Sequence, residues 1–286
     1  MSLRLALVQL KVIGSKQQIL QNTINQIKIA ALVKNVTVVV LPECFNCPYE
    51  EDALKESAEE IPAGETSQAL QRAARDYRVY VVGGSIVERY SGNLYLTCPV
   101  WNPNGELIAK YHKMHLGDSN ANAEAIVRES AWFTAGEDFV TFDVIGDGES
   151  SRKVKVGLGI CWDMRFPEFA ACYRKLGCGV LLYPSLCDVK TGAMHWELLA
   201  RARALDNQLF VAFCSPARNE DARLVAFGHS LVVDPWGVVI AAGLEKEDIV
   251  VADLKLDLLS EAREDLPVMN QKRFDLYKQV GVNNKQ

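Results

Sequence analysis

A cysteine stands where an apolar segment ends and a helical pattern begins. Val154, Val156 and Ile160 alternate with Lys and Gly residues, Cys161 follows directly, and Pro167 opens a helical pattern. α/β proteins present nucleophiles at such a junction, close to the unpaired N–H groups of a helix start. Cys161 is therefore a candidate nucleophile, with a buried structural thiol as the alternative. Because a thiol of pKa about 8.5 is mostly protonated at pH 7, catalysis needs a base or a cation beside it.

Two other apolar segments also end in a chemically useful side chain. Glu43 follows the segment 38–42, and Lys113 follows the segment 109–112. Burial would raise the pKa of a glutamate and make it a base near neutral pH, and a lysine could stabilise an oxyanion. The alternative for both is a solvated surface charge. Glu, Lys and Cys at the ends of core strands form the set of groups that a thiol hydrolase needs. Glu129 carries no local signal, and its pattern alone indicates a surface charge.

Other motifs do not predict a cofactor or metal site. Cys44 and Cys47 form a C-x-x-C pair, but no second pair or His pair follows at zinc spacing. Gly157-x-Gly159 lacks the third glycine of a dinucleotide fingerprint. His195 stands at the predicted start of a helix, where packing or capping is favoured over general base chemistry. We expect no metal and no organic cofactor.

Bulk properties favour a protein that acts on small molecules. The 286 residues carry a net charge of −5 without a basic stripe, which argues against nucleic acid as a partner. No apolar run approaches the roughly 20 residues of a membrane span. The alternating N-terminal segment predicts a core strand rather than a signal peptide. The eight cysteines are then expected to be free thiols in a reducing compartment. We expect a cytoplasmic protein, with mitochondrial presence left open.

The pattern of elements predicts an α/β fold of two mixed sheets with helices outside. Residues 1–286 are expected to form one domain, with a core over 3–255 and a polar C-terminal extension over 256–286. The predicted strands cover 3–10, 36–41, 79–87, 94–101, 106–112, 153–160, 178–183, 209–214 and 248–254, with a late hairpin over 229–242. The predicted helices cover 16–33, 66–77, 167–176 and 195–207. Gly83 and Gly84 in one strand indicate the close approach of another backbone.

Three blocks of the sequence, in order, resemble the signature sequences of the carbon–nitrogen hydrolase (nitrilase) superfamily. They are LPE (41–43), KYHK (110–113) and GICWDMRFPE (159–168), and the resemblance covers about 3–280. It implies a four-layer αββα sandwich that dimerises into an αββα–αββα homodimer. It also implies a triad of Glu43, Lys113 and Cys161, with Glu129 as a supporting second glutamate.

Within this superfamily the chain is most similar to the omega-amidases. The shared blocks are LPECFNCPY (41–49), HWELL (195–199), DNQ (206–208), SPAR (215–218), GHS (228–230) and DPWG (234–237). The resemblance implies hydrolysis of 2-oxoglutaramate and 2-oxosuccinamate to 2-oxoglutarate and oxaloacetate plus ammonia, through a cysteine thioester. For such substrates we expect Arg165 to bind the far carboxylate, with a salt bridge to Asp163 or Glu168 as the alternative. The backbone N–H of Trp162 is expected to bind the oxyanion, and Tyr49 and Phe45 to form pocket walls.

Two segments depart from the family pattern, and other functions remain open. GDSNAN (117–122) stands where a Phe-Asp and a Pro-containing turn are usual, and LCD (186–188) where Ala-Phe-Asn is usual. Both segments are expected to border the pocket, so they bear on substrate preference. The alternatives within the superfamily are an amidase of deaminated glutathione and a true nitrilase. A non-enzymatic scaffold is disfavoured because the Glu, Lys and Cys residues are all present.

Overall fold

Two β-sheets stack face to face, and helices cover the outer side of each. The structure is a computed structural model that describes residues 2–120, 127–146 and 153–277. The strands are β1 (Ser2–Gln9), β2 (Val38–Val40), β3 (Tyr80–Val82), β4 (Ile86–Tyr90), β5 (Asn93–Trp101), β6 (Leu107–His112), β7 (Asp118–Ser119), β8 (Val127–Arg128), β9 (Thr141–Ile145), β10 (Lys153–Leu158), β11 (Val180–Pro184), β12 (Phe210–Cys214), β13 (Leu231–Val233), β14 (Val239–Ala242) and β15 (Asp248–Lys255).

The helices occupy the connections between strands. They are α1 (Lys16–Leu32), α2 (Glu51–Glu56), α3 (Glu65–Tyr77), α4 (Pro167–Lys175), α5 (Val189–Asn207), α6 (Leu258–Asp265) and α7 (Phe274–Tyr277). Two short 3₁₀ turns, Glu129–Ala131 and Cys161–Arg165, are the other helical elements among the described residues. Both turns carry candidate site residues.

Each large sheet has parallel strands at its centre and antiparallel strands at its edges. The first sheet has the order β15-β1-β2-β3-β5-β4, with β6 also paired to β5. Its strands β1, β2 and β3 are parallel. The second sheet has the order β14-β13-β12-β11-β10-β9, and its strands β10, β11 and β12 are parallel. Because parallel strands end at one edge, the segments after β10 and β11 come close together.

Alternation along the strands divides the core into layers. In β1, Leu3, Leu5 and Leu7 belong to the core shared with the second sheet, which also contains residues of α4 and α5. Ala6 and Val8 of the same strand pack in a separate cluster with α1 and α3. Each fully buried aliphatic side chain contributes roughly 1.5–3 kcal/mol. These layers are helix, sheet, sheet and helix, which confirms the predicted αββα sandwich.

The predicted strand over 79–87 is two strands, β3 and β4. The chain leaves the sheet between them, and Gly84 has a φ of +63°. A Cβ at Gly84 would lie 2.1 Å from the carbonyl oxygen of Pro42. The expected close approach of another backbone is therefore confirmed, and the backbone that approaches belongs to the segment after β2.

The helix predicted over 195–207 begins earlier, at Val189. Asp188 is its N-cap and accepts hydrogen bonds from the N–H groups of Lys190 (3.0 Å) and Thr191 (3.1 Å). His195 therefore lies inside α5, and the prediction that it opens the helix is wrong. Val189, Thr191 and Gly192 in the first turn have low helix propensity. The sequence pattern therefore did not indicate that the helix begins at Val189. The pattern also missed β9, α2 and α6. The last of these falls in the expected C-terminal extension, of which 278–286 lie outside the described residues.

Candidate active site

Glu43 lies three residues after the end of β2, where the chain leaves the first sheet. Its side chain is 1% exposed. The next residue, Cys44, has a φ of 48°, and its N–H donates to Ser85 Oγ at 2.9 Å. The N–H of Glu43 donates to the carbonyl of Ser185, which directly follows β11 of the second sheet, at 3.4 Å. The glutamate is thus fixed from both sheets.

Lys113 follows β6, and its ammonium group lies between two carboxylates. Its N–H donates to the carbonyl of Leu96 at 2.8 Å, which holds the end of the strand. Its Nζ lies 2.7 Å from Glu43 Oε1 and 2.8 Å from Glu129 Oε2. The lysine is 1% exposed. Burying an ammonium costs several kcal/mol unless charged partners surround it, and here two carboxylates offset that cost.

Glu129 is the first residue of a 3₁₀ turn and is also buried. Tyr49 donates to its Oε1 at 2.5 Å, and the N–H of Gly117 donates to its Oε2 at 2.6 Å. Its own N–H donates to the carbonyl of Gly117 at 3.1 Å. The local pattern alone indicated a surface charge, and that interpretation is wrong. The structure places this glutamate against Lys113, the residue with which the family resemblance paired it.

Cys161 begins the 3₁₀ turn that follows β10, at the entrance to α4. Its φ is 41°, a left-handed conformation that a non-glycine residue adopts only when its surroundings enforce it. Sγ donates to the carbonyl of Leu186 at 3.2 Å, and the residue is 9% exposed. The N–H of Trp162 belongs to the first turn, where N–H groups have no acceptor within the helix. This elbow therefore offers a thiol and a backbone donor side by side.

Asp163 ties the cysteine elbow to the segment that carries Lys113. It is fully buried and accepts from the N–H of Ile160 at 2.7 Å and from the hydroxyl of Tyr111 at 2.7 Å. Its other oxygen accepts from the N–H of His115 at 2.9 Å. Arg203 of α5 holds the far end of the turn through the carbonyl of Met164, at 2.9 Å. These contacts fix the positions of the thiol and the lysine relative to each other.

Burial and neighbouring charges determine which groups carry protons. Burial raises the pKa of Glu43 to about 7, against the opposing effect of Lys113, and the charge of Glu129 adds to the rise. Burial and the charge of Glu43 hold the pKa of Cys161 well above its usual range. Burial lowers the pKa of Lys113, but Glu129 and Glu43 outweigh it and raise that pKa well above its usual range. At neutral pH the site therefore contains a thiol, an ammonium and a carboxyl group poised to exchange a proton.

These groups line one pocket. Trp162, Arg165 and Tyr49 line it as well. The Arg165 guanidinium carbon lies 4.4 Å from the centre of the Trp162 ring. Nη1 of the same guanidinium lies 3.4 Å from His195 Nδ1. Among the described residues, no ion pair joins Arg165 to Asp163 or to Glu168. Asp163 instead accepts hydrogen bonds from Tyr111 and from the N–H groups of Ile160 and His115.

Phe45 is not a wall of this pocket. Its ring is fully buried in the cluster between the first sheet and its helices, since the turn at Cys44 directs it away from the cleft. The prediction for Phe45 is therefore wrong. Both segments that depart from the family pattern border the pocket, and residues 121–122 of the first lie outside the described residues. Their lining residues are Gly117, Ser119, Leu186, Cys187 and Asp188.

Comparison with known proteins identifies the family. The family model described as carbon-nitrogen hydrolase matches residues 4–264. The chain belongs to the carbon–nitrogen hydrolase family. It is 45% identical over 276 residues to omega-amidase NIT2 of Homo sapiens, covering 96% of this chain and 97% of that protein.

Solved structures of the nitrilase superfamily share the fold of this carbon–nitrogen hydrolase. Nit3 of Saccharomyces cerevisiae, a member of branch 10 of the superfamily, matches with a TM-score of 0.84 at 36% identity, over 96% of this chain and 97% of that chain. A carbon–nitrogen hydrolase from Helicobacter pylori G27 matches with a TM-score of 0.85 at 24% identity, over 98% of both chains.

Sequence reasoning missed several residues of the hydrolase site. Thr191 and Leu224 line the pocket beside Cys187 and Asp188. The N-cap signal of Asp188 could have located Thr191, which lies in the first turn of α5. The loop of Leu224 has no pattern that points to the cleft. In the parts of the chain that the structure describes, no cluster of three His, Cys, Asp or Glu side chains could hold a metal. None of the described helices is long and apolar enough to cross a membrane.

Proposed function

We propose that this carbon–nitrogen hydrolase is an omega-amidase, which converts 2-oxoglutaramate and 2-oxosuccinamate to 2-oxoglutarate and oxaloacetate with release of ammonia. The observation that carries the proposal is the buried Lys113 ammonium, shared by Glu43 and Glu129 beside a thiol on a strand–helix elbow. The identity to omega-amidase NIT2 over nearly the whole chain supports the substrate class.

In the first half-reaction Cys161 attacks the amide carbon. Glu43 accepts the thiol proton as the C–S bond forms, and the carbonyl electron pair moves onto oxygen. Lys113 and the backbone N–H of Trp162 stabilise the oxyanion, and such a donor is worth about 10²–10³ in rate. Glu43 then gives its proton to the amide nitrogen, the C–N bond breaks, and ammonia leaves a thioester on Cys161.

In the second half-reaction water cleaves the thioester. Glu43 removes a proton from the water as its oxygen attacks the same carbon, and the oxyanion returns to the same two donors. The C–S bond then breaks, Glu43 returns the proton to Cys161, and the acid leaves. A glutamate with a pKa of about 7 suits both directions of transfer. Glu129 and Tyr49 act by holding Lys113 in place.

Arg165 is proposed to bind the far carboxylate of the substrate. Its guanidinium lines the pocket and is stacked on Trp162, so its donors have a fixed direction. A guanidinium binds a carboxylate through two parallel hydrogen bonds. A neutral amide lacks this carboxylate, so Arg165 would make the site selective for oxo-acid amides.

Ammonia release from 2-oxoglutaramate tests the proposal. We expect turnover by the wild type and by Cys172→Ala, whose cysteine lies in α4 outside the pocket, and none by Cys161→Ala. Turnover of deaminated glutathione alone would keep the thiol chemistry and reject the oxo-acid amide as substrate. Undiminished turnover by Cys161→Ala would reject the thiol mechanism.

We further propose that the protein forms a homodimer through α5. Met194, Leu198 and Leu205 fall on one face of this helix and are 56%, 67% and 50% exposed. An exposed apolar stripe of this kind is typical of an interaction surface, and the αββα–αββα dimer of the superfamily supplies a second copy as the partner. Sedimentation should give a dimer for the wild type and a monomer for Leu198→Glu. A wild-type monomer would refute this assignment.

The proposed compartment is the cytoplasm. All eight cysteines are free, and most are buried. A protein that keeps this many thiols reduced suits a reducing compartment. Microscopy of a tagged full-length protein would test this, and a purely secreted or organellar signal would contradict it.

A further inference from the structure

A second thiol, that of Cys187, lines the same pocket as the candidate nucleophile Cys161 and is 7% exposed. It lies in the LCD segment (186–188), and the proposed amidase reaction gives it no role. Its Sγ contacts Thr191 Oγ1 at 3.2 Å.

The backbone places the two cysteines within reach of each other. Cys161 Sγ lies 3.2 Å from the carbonyl oxygen of Leu186. In a trans peptide that oxygen lies about 2.8 Å from the next Cα. The sulfur of Cys161 is therefore within about 6 Å of the Cα of Cys187. Because Sγ lies about 2.8 Å from its own Cα, the two Cα atoms are no more than about 9 Å apart. A disulfide needs Cα atoms about 4.4–6.8 Å apart, so closing the bond takes side-chain rotation and, at that upper limit, a backbone movement of about 2 Å.

Both cysteines share their pocket with fixed cations. Burial raises the pKa of Cys187, and the charges of Asp188 and Glu43 add to the rise, whereas the hydrogen bond with Thr191 and the positive charge of Arg165 oppose it. Arg165 and Cys187 line one pocket, and the Lys113 ammonium lies in the same cavity. A thiolate that forms at either cysteine is thus close to a fixed cation.

We propose that Cys161 and Cys187 form a reversible redox pair that switches the site off in the presence of a hydroperoxide. Hydrogen peroxide is the oxidant. The disulfide itself does not depend on the proposed function, but its effect on turnover rests on that function. The device would also protect Cys161 from further, irreversible oxidation.

The chemistry balances in two steps. Glu43 accepts the thiol proton as Cys161 Sγ attacks one oxygen of the peroxide. The S–O bond forms, the O–O bond breaks, and the leaving hydroxide receives the proton from Glu43 and becomes water. Cys187 Sγ then attacks the sulfur of the sulfenic acid, the S–S bond forms, and hydroxide leaves with the Cys187 proton as a second water. Two thiols are oxidised and one peroxide is reduced. An added dithiol reverses the reaction by exchange.

Peptide mapping of the peroxide-treated wild-type protein tests the pair directly. After brief treatment with hydrogen peroxide and blocking of free thiols, we expect a linked peptide that contains Cys161 and Cys187, with a mass loss of about 2 Da. A wild type in which Cys161 is oxidised without this link, or is linked to another cysteine, would overturn the proposal. This readout is independent of the amidase activity.

Recovery of activity supplies the functional test. Each variant is compared with its own untreated activity after peroxide and then dithiothreitol. Wild type and Cys172→Ser should lose at least about tenfold and regain most of it, whereas Cys187→Ser should stay inactive and gain about 32 Da on Cys161 as sulfinic acid. Equal recovery in Cys187→Ser would overturn the proposal. If no variant turns over the amide, the proposed function fails, while the linked peptide still decides the redox pair.

Discussion

Replacing Glu129 with glutamine removes one of the two negative charges beside Lys113 and keeps the size of the side chain. Glu43 Oε1 and Glu129 Oε1 both contact Lys113 Nζ, at 2.7 and 2.9 Å. The two carboxylate oxygens are therefore no further apart than the sum of these distances, 5.6 Å. At that separation and an effective dielectric constant near 20, their repulsion is about 3 kcal/mol, or roughly two pKa units.

The sign of the effect follows from the charges. The negative charge of Glu129 raises the pKa of Glu43, so its removal lowers that pKa. Because the mechanism needs ionised Glu43, the acid limb of kcat/KM should move to lower pH by about one to two units. Tyr49, Gly117 and Lys113 all donate to Glu129, and one of these donors would face the new amide group. An unpaired buried donor costs about 1–3 kcal/mol, so the plateau of kcat/KM should fall roughly tenfold to a hundredfold.

The assay is the pH profile of ammonia release from 2-oxoglutaramate, with Glu88→Gln as the matched control. Glu88 is also buried (1% exposed) and accepts from Lys110, His112 and Thr97, outside the pocket. Glu88→Gln disturbs a comparable set of three buried hydrogen bonds outside the pocket. The acid limb of its kcat/KM profile should therefore stay at the wild-type pH. An unmoved acid limb in Glu129→Gln, or an equal movement in Glu88→Gln, would refute the reasoning.

Three further predictions concern binding, positioning and packing. Arg165→Ala should raise KM for 2-oxoglutaramate roughly tenfold to a hundredfold and leave KM for a neutral amide nearly unchanged, and equal effects would remove Arg165 from the carboxylate site. Asp163→Asn should lower kcat at least about tenfold with little change in KM, because an amide cannot accept from all its donors, and an unchanged kcat in steady-state assays would contradict this. Gly84→Ala should lower Tm far more than Gly92→Ala, since both have positive φ but only the Gly84 Cβ meets the carbonyl of Pro42. Equal Tm values for the two variants would show that the contact with the Pro42 carbonyl does not determine the stability of this turn.

Residues at the ends of strands could be located from the sequence, because the strand pattern fixes their surroundings. Glu43, Lys113 and Cys161 each follow an apolar segment, and the structure brings all three to one cleft. Glu129 could not be found in this way. Its burial depends on a 3₁₀ turn and on the N–H of Gly117, twelve residues away in the chain, and neither has a periodic signal.

Local turns account for most of the wrong predictions. Phe45 was expected in the pocket, but the positive φ of Cys44 reverses the chain and sends the ring into the core. The start of α5 was missed because Gly192 and β-branched residues precede the strongly helical part. The layered architecture was predictable because it depends on the order and amphipathicity of long elements. Errors of several residues at the ends of these elements do not change that order.

The most direct test of the central claim is to trap the acyl group on Cys161. Wild-type protein mixed with excess 2-oxoglutaramate, quenched in acid within the first turnovers and digested, is examined by mass spectrometry. We expect a 2-oxoglutaryl thioester on the peptide that contains Cys161, formed together with the first equivalent of ammonia and absent from Cys161→Ala. Steady ammonia release without any adduct on Cys161, or with turnover retained in Cys161→Ala, would contradict it.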